Sequence, residues 1–346
     1  MTLISCHDMM HEFKKIVQAH RDAEQKNITT VLATVVALNG SSYRRPGVSM
    51  LIRTDGRIIG AVSGGCVEKE VLHQAQEVFE TNCPKIMIYD GRYRLGCEGT
   101  LYILIEPFLP GNAFWEGFDR ILAQRSSCQL VSHYDLRAGS TPAYGTFLKW
   151  GNQEWPLFEN RVGDPWLGPK VFEYTLYPCF KLWIIGAEHD AVQLCTQASL
   201  VGWEVTILAS PAEEKSVAHF SGARDFYSRE PEQLPLDEID DQTAVVVMTH
   251  SYAKDLKYLL ALKQSRPAYL GLLGPKDRKE KLLTELLERD LDVPEQFLSC
   301  IHGPTGLDIG AETPQEIAVA VLAEILAVTR NRNPQKLSIK QGTIHS

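Results

Sequence analysis

No apolar stretch in this 346-residue sequence approaches the ~18 residues that a membrane-spanning helix requires. The opening MTLISCHDMMHEFKK has neither a basic lead nor a long apolar segment, which argues against a secretory signal and for a cytoplasmic protein. Long Lys/Arg runs are missing too, and the formal net charge is −8, so nucleic acid and anionic membranes are excluded as natural partners. Neither CxxC nor HExxH occurs, which removes the common zinc patterns. Internal repeats and low-complexity segments are likewise absent. Eight cysteines are present, scattered at 6, 66, 83, 97, 128, 179, 195 and 300. In an unsecreted chain of this length they read as reduced thiols, mostly small buried apolar residues, and not as a disulfide framework. With 44% hydrophobic and 23% charged residues the chain can fill a sizeable core, and its length predicts two domains.

The first half begins with a charged helix from Met9 to about Gln25, followed by a β-branched strand, TTVLATVVAL (29–38). NGSSYRRPG (39–47) reads as a loop. VSMLIR, TDGR and IIGAV form a hairpin signal with Asp55-Gly56 at its turn. After Cys66, Val67, Val71, Leu72, Ala75 and Val78 recur at helical spacing. KIMIYD and LGCEGTLYILIEP supply two more strands, and FWEGFDRILAQR a helix. CQLVSHYDL, YGTFLKW and VFEYTLY are β-like pieces that complete an N-terminal α/β domain with a mixed sheet, residues 1–178.

The second half, 179–346, reads strand, tight turn, helix, strand in FKLWIIGAEHDAVQLCTQASLVGWEVTILAS (180–210). That is the opening of a Rossmann-like, doubly wound parallel sheet, and the fold class is α/β. TAVVVMTH and AYLGLLG are further strands, and DRKEKLLTELLERD is an amphipathic helix. A last helix starts at TPQEIAVAVLAEILAVTR, with Thr313 as cap, Pro314 in the first position and Glu316 closing a capping box. The tail after Asn331 is expected to fray.

The dinucleotide fingerprint is incomplete. Gly186 and Ala191 fill its first and third places, but Glu188 fills the second, where a diphosphate would lie. The next strand ends in Ala209 and Ser210 instead of the acid that holds ribose hydroxyls. His189 and Asp190 follow in the same turn, and Thr249, His250 and Asp255 sit at another strand end, where such folds bind ligands. Each has a plain structural alternative, and a lone histidine is commonly a hydrogen-bonded structural group. GPTGLDIGAETPQE (303–316) reads either as an ordered functional loop or as an elaborate lead into the last helix.

GAVSGGCVE places Gly64, Gly65 and Cys66 where a strand gives way to a helix. Free N–H groups at a helix start attract anions, and the same field favours thiolate, the nucleophilic and metal-binding form of cysteine. LGCEG repeats the pattern around Cys97. Either cysteine alone reads as structural, whereas two Gly-Cys turns in one domain point to a sulfur-handling site.

Together these motifs resemble the xanthine dehydrogenase accessory proteins of the XdhC/CoxI type. The matching stretches are GSSYRRPGVSMLI, GAVSGGCVE, LGCEGTLYILIEP, IIGAEHDA, VVVMTHSYAKD, YLGLLGPKDRKEKL and HGPTGLDIGAETPQEIAVAVLAEILA, in the family's order. The resemblance implies that the chain binds molybdenum cofactor (molybdopterin) as a transient ligand, protects it during sulfuration and delivers it to a xanthine dehydrogenase-type apoenzyme. It implies further a homodimer and a cysteine desulfurase as an additional partner. Cys66 and Cys97 match the family's motif cysteines, while Glu98 and Glu188 stand where the family has glycine. The candidate cofactor-binding residues are therefore Gly64, Gly65, Cys66, Cys97, Gly186, His189, Asp190 and His250; no catalytic residue and no metal ligand is assigned. The Rossmann pattern alone admits a different reading, an NAD(P)-dependent oxidoreductase, with Glu188 opposing NAD(P). A homologue that has lost its ligand is a third. The leading reading is a non-enzymatic cofactor chaperone.

Overall fold

The period of the apolar residues decides each element, and the pairing of strands divides the chain into two units, Met1–Pro178 and Cys179–Ser346. The structure is a computed structural model and describes residues 9–40, 45–91, 99–159 and 169–340.

In the first unit, α1 (Met9–Glu24) buries Met10, Phe13, Ile16, Val17, His20 and Ala23 along one stripe. β1 (Thr30–Asn39) is buried over most of its length because it lies inside a sheet. β2 (Ser49–Arg53) and β3 (Ile58–Gly60) form the expected hairpin, with Met50 opposite Gly60. Gly56 takes φ +85 at its tip, and Arg53 grips Asp55 through Nε at 3.0 Å and Nη2 at 2.6 Å. α2 (Gly65–Thr81) packs Val67, Val71, Ala75 and Val78 onto the sheet, in one core with Val31, Ala33 and Ile103. β4 (Lys85–Asp90) and β5 (Thr100–Pro107) follow, then α3 (Asn112–Ala123), whose Gly117 leaves room for the Trp155 indole. β6 (Cys128–Tyr134), β7 (Gly139–Ser140), β8 (Gly145–Trp150), β9 (Gln153–Pro156) and β10 (Lys170–Leu176) complete the unit.

Two sheets result, one ordered β3-β2-β1-β5-β4-β7 and the other β10-β6-β8-β9. Their strand pairs are antiparallel, and an isolated parallel bridge joins Leu109 to Phe158. Glu106 of β5, 1% exposed, accepts from the Thr146 amide at 2.9 Å and hydroxyl at 2.5 Å, which ties one sheet to the other. A buried carboxylate is tolerable only with such donors.

The second unit is a six-stranded parallel sheet wrapped by helices. Its elements are β11 (Lys181–Ile185), α4 (His189–Leu200), β12 (Glu204–Ala209), β13 (Ala223–Ser228), β14 (Thr243–Val247), α5 (Tyr252–Leu262), β15 (Tyr269–Leu272), α6 (Lys276–Arg289), α7 (Glu295–Ser299), β16 (Ile301–His302) and α8 (Pro314–Thr329). The order β13-β12-β11-β14-β15-β16 is that of a Rossmann sheet. Leu182 and Ile184 enter a core beneath α4 and α8, while Trp183 and Ile185 enter another beneath α5 and α6. Because both faces are covered, β11, β12 and β14 read as largely apolar runs. Each such fully buried aliphatic side chain contributes about 1.5–3 kcal/mol. Thr313 and Glu316 form the expected capping box: the Thr313 amide donates to Glu316 Oε2 at 2.9 Å, and the Glu316 amide to Thr313 Oγ1 at 3.3 Å.

Candidate functional site

The sheet of the second unit reverses its order between β11 and β14, and their carboxyl ends flank the crevice where folds of this class take ligands. Gly186 leaves β11 with φ +139, and a Cβ there would lie 2.4 Å from the Met248 carbonyl oxygen. Glycine is thus demanded by the close approach of the neighbouring strand end. Glu188 occupies the cap position of α4, is exposed and makes no side-chain cap bond. His189, exposed, and Asp190, half-buried, begin the helix. Oδ2 of Asp190 lies 3.1 Å from Nε2 of His250, which follows β14 in the left-handed region at φ 56. A non-glycine residue held there is strained, a condition that clusters at ligand sites.

The residue before His250, Thr249, is held by a buried carboxylate. Asp255, 2% exposed, accepts from the Thr249 amide at 3.2 Å, the Thr249 hydroxyl at 2.6 Å and Arg278 Nη2 at 2.6 Å. The structure therefore brings Gly186, Asp190 and His250 together, leaves His189 outward and adds Arg278. Arg278 is not among the sequence-derived candidates: it is one of four cations in the charged run KDRKEK, and nothing local singles it out from the others.

Gly64, Gly65 and Cys66 form a second candidate. α2 begins at Gly65, with Gly64 as its cap in an extended conformation (φ −114), and the Ser63 amide donates to Glu68 Oε1 at 2.9 Å. Among the described residues, a Cβ on Gly64 or Gly65 would meet no atom within 4 Å, and neither packing against them nor backbone sign requires these glycines. Cys66 is exposed. The other described cysteines are more enclosed. Burial pushes the thiols of Cys128 and Cys195 up to about 12, and raises those of Cys83 and Cys300. Cys97 and Glu98 lie outside the described residues, as does Arg44 of the expected loop. Among the described residues, no group of His, Cys, Asp and Glu could hold a metal ion, and no helix is long and apolar enough to cross a membrane.

A third polar cluster lies where β15, β16 and α8 meet. The Tyr269 phenol lies 2.5 Å from both Thr305 Oγ1 and Glu324 Oε2, and the Gly306 amide donates to Glu324 at 2.7 Å. Burial acts to raise the Glu324 carboxyl, but hydrogen bonds from His302, Tyr269 and the Gly306 amide outweigh it and leave it below the ordinary value. This cluster fixes the 303–306 segment, so that part of the loop is ordered by polar anchors far apart in sequence.

Two features of a dinucleotide site are replaced in this crevice: Glu188, where the fingerprint has glycine, caps α4, and β12 ends at Ala209 where an acid would hold the ribose.

The family model for the XdhC Rossmann domain matches residues 182–325, and that for the XdhC and CoxI family matches residues 23–90. A Bacillus subtilis protein named as a probable subunit of xanthine dehydrogenase is 30% identical over 323 residues, spanning 87% of this chain and 93% of its own. An Escherichia coli protein named molybdenum cofactor insertion chaperone PaoD is 27% identical over 304 residues, spanning 86% of this chain and 83% of its own. The crystal structure of a Bacillus halodurans protein described as a xanthine dehydrogenase is similar with a TM-score of 0.74 at 25% identity, covering 94% of this chain and 98% of that one. With likeness running through both units, this chain belongs to the XdhC and CoxI family.

Proposed function

We propose that this protein is a non-enzymatic chaperone that binds molybdenum cofactor, shelters it while its terminal sulfur is installed, and passes it to a xanthine dehydrogenase-type apoenzyme. The observation that carries the reading is the similarity to a molybdenum cofactor insertion chaperone, which over 304 residues takes in both units. The local chemistry agrees. The cargo is a pterin with a phosphate and a dithiolene, and needs an open anion-tolerant surface with soft donors nearby. Gly64 and Gly65 are uncrowded among the described residues, and Cys66 supplies an exposed sulfur at a helix start, where free N–H groups favour anions.

On this reading the residues that serve the cargo are Gly64, Gly65, Cys66 and Cys97 in the N-terminal unit, and Gly186, His189, Asp190 and His250 in the Rossmann unit. The protein works as a cytoplasmic homodimer that meets its client and a cysteine desulfurase. An NAD(P)-dependent oxidoreductase draws on the sheet topology, which fixes a fold and not a function, and on relatives named for xanthine dehydrogenase, but Glu188 interrupts the fingerprint it would need.

Mass spectrometry of the protein copurified from a molybdenum-replete host tests the proposal. A bound molybdenum-pterin, together with activation of a xanthine dehydrogenase-type apoenzyme on mixing, is the expected result. Saturable turnover of NADH or NADPH by protein free of pterin would overturn it. Light scattering at working concentration should give twice the 38.8 kDa chain mass; a monomer rejects the dimer.

A further inference from the structure

A cavity of about 250 Å³ opens at the carboxyl ends of β14 and β15, lined by Met248, His250, Leu273, Gly274, Pro275 and Arg278. Its walls are mostly apolar, so Arg278 and His250 decide what it binds. Arg278 is anchored at one nitrogen. Nη2 donates to Asp255 at 2.6 Å, and that carboxylate is itself fixed by the amide and hydroxyl of Thr249. The arginine stem crosses Gly274, where φ is +119 and a Cβ would meet Arg278 Cδ at 2.8 Å. Any side chain at 274 would displace it. The guanidinium also lies 5.7 Å from the centre of the Tyr252 ring. Among the described residues, its other N–H donors have no side-chain or backbone acceptor.

A guanidinium immobilised by a buried carboxylate, with further donors unspent beside a cavity, is preorganised for an oxyanion. A bare carboxylate would leave much of this volume empty. A tetrahedral group presents more oxygens to the donors, and Met248, Leu273 and Pro275 can cover the first carbons of an ester. We propose that the cavity walled by Arg278 and His250 binds the phosphate of a phosphomonoester. That this ester is the pterin phosphate of the cargo rests on the function proposed above; the site itself does not.

The test uses the full chain purified without cofactor, titrated by calorimetry with phenyl phosphate and, in parallel, with benzoate. Phenyl phosphate should bind saturably and benzoate about tenfold more weakly or not at all. Arg278→Lys keeps a cation beside Asp255, and hence the fold, but loses the planar fork; it should weaken phenyl phosphate binding about tenfold, the scale of one charge-assisted hydrogen bond. Leu273→Trp, which fills the cavity, should abolish binding, with circular dichroism checking that the protein is folded. Equal affinity for benzoate, or unchanged affinity in Arg278→Lys, overturns the proposal. Retention of pterin at wild-type level by Arg278→Lys, in protein from a molybdenum-replete host, overturns the assignment of this cavity to the cargo. Arg278-dependent binding of phenyl phosphate by a protein that never carries pterin supports the site and refutes the chaperone reading instead.

Discussion

Nε2 of His250 lies 3.1 Å from Oδ2 of Asp190, so a side-chain pair bridges the two strand ends on either side of the reversal in sheet order. His250 is 48% exposed, and pairs this open to water contribute only about 0–1 kcal/mol. Asp190→Asn and His250→Gln should therefore each lower Tm by no more than a few degrees. Cofactor retention, measured by mass spectrometry, should fall in both. Wild-type retention in both variants would remove the pair from the site.

Cys66 should be alkylated by iodoacetamide at neutral pH faster than any other described cysteine. It is exposed, whereas burial raises the thiols of Cys83, Cys128, Cys195 and Cys300 and reduces their reactive thiolate. Peptide mapping after short labelling reads the order directly. Cys66→Ser should leave Tm nearly unchanged and stop client activation; a large loss of Tm with intact activation would make the sulfur a packing atom.

NADH and NADPH should show no micromolar binding in calorimetry. Replacing the carboxylate at the α4 cap, Glu188→Gly, should strengthen whatever residual binding exists by about 1–2 kcal/mol, the scale of one unfavourable desolvated contact. Tight binding by the unmodified chain would contradict the account of this crevice.

His20 should give the N-terminal unit an acid-sensitive stability. It is 2% exposed, its Nδ1 lies 2.7 Å from the Thr30 hydroxyl, and its Nε2 has no partner among the described residues. Burial pushes its pKa from 6.5 down to about 4. Between those values the unfolded chain takes up a proton that the folded one refuses, so stability falls as pH drops from about 6.5 to about 4 and levels off below. The whole loss is about 3 kcal/mol. Urea midpoints at pH 7, 5.5 and 4.5 should show this decline in the wild type and a flatter profile in His20→Gln. Parallel profiles would refute it.

Much of the architecture was legible because both faces of the Rossmann sheet are covered, which makes β11, β12 and β14 largely apolar runs, broken in β12 by the buried Thr206. The β-like pieces between 110 and 178 also appear, as β6, β8 and β10. β13 carries no clear signal because it is only partly buried, and β7 and β16, two residues each, are too short to show a period. The insertion of β5 between β1 and β4 is a long-range pairing that no local pattern encodes. In the candidate crevice, the nearness of Gly186, Asp190 and His250 follows from topology, which brings the ends of β11 and β14 side by side. Arg278 could not be picked out: its partner Asp255 is 23 positions away on another helix, and its neighbours are ordinary solvated charges.

The close approach of Met248 to Gly186 bears on how such chains are recognised. The first glycine of a nucleotide fingerprint is usually read as a mark of the ligand. Here it is a spacer, fixed by how near two strands come at their tips, and it would persist through any change of ligand that left the strands in place. The informative letter is the second one. Sorting Rossmann sequences by the residue two positions on, acidic as in Glu188 or glycine, should separate chains that kept the nucleotide from those that kept only the scaffold.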